Sequence, residues 1–138
     1  MTNFSAYLEN RLLGATLLGS PFTALTTTWI ALATSIASDG DSFTEVTTGV
    51  GYGRRVMLSG TDWSDITSTP DTTVVNSATK TWSPATTPWG EVKHFGIYDA
   101  ETIGGGNLLY WGDFDTPRDV LTSDTLEVQA GQLSVRLD

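Results

Sequence analysis

The 138-residue chain contains no cysteine, a single histidine, and only seven basic residues against sixteen acidic ones. Each shortage closes off a class of chemistry. Without cysteine there is neither a disulfide nor a thiolate nucleophile, and His94 has no second histidine or cysteine with which to complete a zinc site. The formal charge of −9 argues against a nucleic-acid partner, because a phosphate backbone is engaged through clustered Lys and Arg. Only Arg54-Arg55 sets two bases side by side. Long apolar runs are missing too. The longest, TWIALATSIA, falls well short of the about 20 residues of a membrane span, so no membrane partner is expected. The first residues carry no basic region, and Glu9, Asn10 and Arg11 interrupt their apolar positions, which predicts no signal peptide.

What the chain does have is threonine, serine and glycine around a modest apolar fraction of 39%, enough for one domain that buries roughly 70% of its unfolded surface. Threonine is β-branched and fits a pleated surface better than a helix. One helix is nevertheless predicted. In TNFSAYLENRLLGATLLGSP, Phe4, Tyr7, Leu8, Leu12 and Ala15 recur at spacings of three and four. Thr2 or Asn3 would cap this helix, and Gly19-Ser20-Pro21 would end it. With Leu13, Leu17 and Leu18 added its apolar surface is wide, so it must dock on something.

From Phe22 onward the period becomes that of strands. TALTTTWIALAT, RRVMLSG, Thr73–Val75, Lys80–Trp82, VKHFGIYD, NLLYWGDF, a short RDVL, LEVQA and QLSVRLD are strand-length runs set apart by turn residues. SDGDSFTEVTTGVGYG and DWSDITSTPDTT read as connections, and SPATTPWG as a surface or edge segment. The predicted fold is all-β: an antiparallel β-sandwich, jelly-roll-like, of about eight strands, preceded by a short helix. Residues 1–20 form the docking helix and 21–138 a single sandwich domain.

No catalytic, cofactor-binding or metal-binding residue stands out, and no cofactor is expected. His94 shares its strand face with Val92, Gly96 and Tyr98, and reads as a hydrogen-bonded framework residue. GVGYG and GGG lack the Gly-Lys-Ser/Thr of a phosphate loop and read as turns. Asp39 and Asp41 suggest a calcium loop, but Phe43 and Val50 fall where that loop needs ligands. Asp62 and Asp65 could pair as glycosidase carboxylates, although nothing in the sequence sets their separation. The five tryptophans divide. Trp29 and Trp111 lie on apolar strands and should be internal, whereas Trp63, Trp82 and Trp89 adjoin prolines or polar loops and read as interface residues. With Phe4, Tyr7, Leu8 and Leu12 of the helix, and Arg54 and Arg55, they make up the candidate interface.

The opening SAYLENRLLGATLLGSPFTALTTTWIAL resembles a family of small tailed-phage virion proteins that begin with a YLEN-x-LL helix. GYGRRV resembles that family's G-Y-x-R-V, and WGEVKHFGIYDA with GGNLLYWG its later block. GQLSVRLD resembles its ending. The likeness covers about the first 35 residues and most of 89–138, while the acidic, threonine-rich middle departs from it. It implies a structural, non-enzymatic role in the virion. Capsid decoration or cement is the favoured version, because no fibrous repeat is present. A tail fibre or tail-adaptor module, with host glycan as a possible ligand, is the alternative. The partners would be the major capsid protein or tail proteins, and the assembly a homo-oligomer, a trimer by analogy.

Overall fold

Alternating β-branched and apolar residues from Thr27 to Ile36 build the strand on which the other elements assemble. The computed structural model describes residues 2–37 and 42–137. In chain order the elements are β1 (Thr2–Phe4), α1 (Ala6–Leu17), β2 (Thr27–Ile36), β3 (Phe43–Glu45), β4 (Arg55–Leu58), β5 (Thr72–Val75), β6 (Lys80–Thr81), β7 (Gly90–Tyr98), β8 (Leu108–Val120), β9 (Glu127–Val128) and β10 (Ser134–Leu137). The main sheet runs β1-β8-β7-β2-β3, with β4 also pairing β2. Two smaller sheets, β5–β10 and β6–β9, complete an all-β, sandwich-like fold in which every strand pair is antiparallel.

Register decides which side chains meet. Ile30 lies opposite Ile97 and Leu32 opposite Phe95, so these four point to one face. There they join Met57, Trp82, Val92, Leu126, Val128 and Leu133 in the buried core. The opposite face of the same strands carries small residues. Ala31 lies opposite Gly96, and Gly96 opposite Trp111. A Cβ on Gly96 would come within 2.8 Å of both Leu108 and Phe43, so glycine here lets two large side chains lie over the sheet. Trp111 is buried as expected, but Trp29 is only half-buried.

The helix starts later than predicted. Residues 2–4 pair with β8 as an edge strand, and Ser5 is the cap: its hydroxyl accepts from the Leu8 N–H at 3.2 Å. The Ser5 N–H also donates to the Leu109 carbonyl at 2.9 Å, and its hydroxyl donates to that of Leu108. One residue therefore caps α1 and ties it to β8. The end falls where predicted. Gly19 takes a φ of 70°, and the N–H groups of Leu18 and Ser20 both return to the Gly14 carbonyl.

Other expectations are corrected. SDGDSFTEVTTGVGYG contains β3, and NLLYWGDF and RDVL are parts of the single strand β8. Beside Pro117 the register steps from Val92–Arg118 to His94–Asp113, so residues 114–117 bulge from the ladder and a proline without an N–H is tolerated. The β7–β8 hairpin is asymmetric: Gly90 at the start of β7 pairs with Val120, because β8 is the longer strand. Ten strands are described, against the eight or so expected, because short pairings such as β1 and β3 carry little periodicity. Asp39 and Asp41 lie outside the described residues.

Candidate interaction surfaces

The nine predicted interface residues scatter between core and surface. Trp82 is 1% exposed and Trp89 is 6% exposed. Neither is available to a partner. The prolines near them carry the backbone over the surface, but the indoles turn inward, where the largest apolar area can be removed from water. Trp89 donates to the Val50 carbonyl at 2.8 Å and meets Tyr52 edge-on at 5.5 Å. Leu8 is also buried, while Phe4 and Leu12 pack partly against the core. Trp63 is partly buried beside its bridge to Asn76. Tyr7 remains exposed. Arg55 ties β4 to the β6 region, donating to the Thr81 carbonyl at 2.8 Å and to the Ser83 hydroxyl at 3.2 Å.

Arg54 is a core residue. Its guanidinium grips Glu45 through Nε and Nη2, each at 2.8 Å, and Nη1 donates to the carbonyls of Ala100 at 2.7 Å and Gly105 at 3.0 Å. It also stacks on the Tyr98 ring at 3.7 Å. Burial opposes the Arg54 charge, but the Glu45 carboxylate outweighs it and raises the guanidinium pKa. Tyr52 completes the cluster by donating to Glu45 at 2.8 Å and accepting from the Leu32 N–H at 3.0 Å. Burial, and then the Glu45 charge, raise the Tyr52 pKa far above the ordinary phenol value and push that of Tyr98 up to about 12. Glu45 and Tyr98 line a cleft of about 590 Å³ with Phe43 and Gly104–Gly106, but the Glu45 carboxylate is already paired with Arg54 inside the protein. The arrangement locks β3, the start of β4 and the 99–107 connection together.

The chemistry candidates resolve similarly. His94 Nδ1 lies 2.6 Å from Asp113 Oδ1 across the β7–β8 pair, a cross-strand framework contact. Asp62 accepts from the Leu58 N–H at 2.8 Å and from Lys80 Nζ at 2.9 Å. The Leu58 N–H, followed by Lys80, holds its carboxyl below the usual range despite burial, the opposite of what a glycosidase general acid needs. Among the described residues no three His, Asp or Glu side chains gather closely enough to hold a metal ion.

Two open surfaces stand out among the described residues. Leu13, Leu17 and Leu18 at the end of α1 are 57%, 75% and 80% exposed, and Phe22 and Leu25 in the following segment are exposed as well. Arg11 lies over the Phe22 ring at 5.8 Å, which folds the following segment back towards the helix. Of the helix leucines, those exposed are Leu13, Leu17 and Leu18, not the predicted interface residues Leu8 and Leu12. The second surface is a polar groove beside the bulge of β8.

Residues 3–136 of the chain match a family described as Podophage GP4 fiber I protein gp80. No curated protein matches it.

Proposed function

The chain belongs to this podophage fibre protein family and is a component of the virion, and from that premise we propose that it serves as a structural, non-enzymatic module of a tail fibre. The match to a fibre family over nearly the whole chain carries this reading. Capsid decoration, which the absence of a fibrous repeat favours, is the weaker alternative.

Within the fibre, the exposed end of α1 acts as the docking element of the N-terminal segment, and the β-domain, to which β1 and the buried face of α1 belong, is presented. The physical reason lies in the exposed leucines. Three large exposed apolar side chains at a helix end, with Phe22 and Leu25 also exposed in the segment that follows, are the kind of surface that is covered when a partner protein binds. The partners are other virion proteins, and the module works as a homo-oligomer, a trimer in the fibre. Closed rotational symmetry presents the same exposed leucines from every copy to the attachment point.

Gold-labelled antibody against the chain, applied to purified particles, tests the assignment. Label at the tail supports the fibre reading, and label spread over the head replaces it with capsid decoration.

A further inference from the structure

The bulge in β8 has a consequence on the protein surface. Residues 114–117 leave the ladder between the Val92–Arg118 and His94–Asp113 pairs, and so stand out from the sheet. Two adjoining clefts, of about 540 Å³ and 410 Å³, open between this bulge and the chain from Asp124 to Ser134. They share Arg118, Leu126, Glu127 and Gln132 and form one groove. Its walls carry planar polar groups from Arg118, Asp119, Glu127, Gln129 and Gln132, and Phe114 contributes a partly buried ring.

These groups differ from the saturated Arg54 cluster. Arg118 is exposed and has no hydrogen-bond or ion-pair partner among the described residues. The acceptors around it are held in place by their neighbours. Gln132 Oε1 accepts from the Gln129 N–H at 2.8 Å, and Glu127 accepts from Thr81 at 3.3 Å and from Gln129 at 3.4 Å. The Phe114 ring is braced by Phe95, with centroids 5.5 Å apart.

We propose that this groove binds a neutral, hexose-based glycan. Planar carboxylate, amide and guanidinium groups suit the adjacent hydroxyl pairs of a sugar ring, each able to give or take two bonds at once. An aromatic ring suits its apolar C–H face. The combined size falls in the range of ligand clefts, roughly 300–1,000 Å³. Charge sets the specificity: Asp115, Asp119, Asp124 and Glu127 surround the single cation Arg118. Sialylated, uronic-acid or phosphorylated sugars are repelled, and uncharged hexoses and N-acetylhexosamines are accepted. The proposal rests on the fibre reading, in which the β-domain is turned towards the host surface.

The test uses the full chain, with saturation-transfer NMR and calorimetry against uncharged di- and trisaccharides of hexose and N-acetylhexosamine, and against their sialylated and uronic-acid counterparts. An uncharged member should bind. Arg118→Ala should weaken it about tenfold or more, as losing a charged hydrogen-bond donor does, without changing the melting temperature. Arg11→Ala, on the helix, should leave the affinity unchanged. The proposal fails if no uncharged sugar binds, if an anionic one binds more tightly, or if affinity survives Arg118→Ala. Tail-located label with no bound sugar overturns the groove alone, and sugar binding with head-located label overturns the fibre reading alone.

Discussion

Arg54 and Glu45 meet through two parallel 2.8 Å bonds, with the arginine side chain wholly buried and the glutamate side chain 8% exposed. Removing one partner strands the charge of the other. Arg54→Met is expected to cost about 3–5 kcal/mol in urea unfolding, and the double variant Arg54→Met/Glu45→Leu to recover a large part of that loss. A single variant as stable as the parent would mean that the pair does not lock β3 and the 99–107 connection.

Acid stability should depend on Asp62. Its folded-state pKa is depressed, so the contribution is fully present above the ordinary carboxylate range and is lost as pH falls through the depressed value. Asp62→Asn should flatten the acid limb of stability against pH and leave the slope near neutrality unchanged. An unaltered acid limb would rule out the Leu58 and Lys80 contacts as its source.

Alkaline titration reads the tyrosine environments. Tyr98 should ionise only near pH 12, and burial should hold Tyr52 protonated well above the ordinary phenol range. Tyr52→Phe removes the acceptor of the buried Leu32 N–H and should cost about 1–3 kcal/mol. Absorbance at the phenolate band, followed in parent and variant, checks the assignment.

Two kinds of substitution should separate core from docking surface. Trp82→Ala is expected to lower stability by about 3–5 kcal/mol. Leu17→Asp should shift it by no more than about 0.5 kcal/mol, because the side chain is 75% exposed, yet should abolish incorporation into particles. Particles that incorporate Leu17→Asp normally would remove α1 from the attachment site.

How far the sequence was readable follows physical lines. The 92–114 hairpin was legible because its alternation is strong and a GGG turn lies between its strands. The N-cap was misplaced at Thr2 or Asn3, since residues 2–4 take their conformation from a partner strand more than one hundred positions away. β3 was hidden for the same reason: Phe43–Glu45 is short, and β2 makes it a strand. Trp82 and Trp89 show that a polar, proline-containing neighbourhood does not report where an indole points. Glu45 and Arg54 are nine positions apart with glycines between them, and no periodic pattern predicts that they pair. The 114–117 bulge is visible only once β8 is seen to continue through Pro117.

Quantitative mass spectrometry of purified particles, counting this chain against the major capsid protein, tests the central claim most directly. A fibre module should be present at a small copy number, a multiple of three, far below that of the capsid subunit. A copy number comparable to the capsid subunit would contradict the fibre assignment and place the chain on the head lattice.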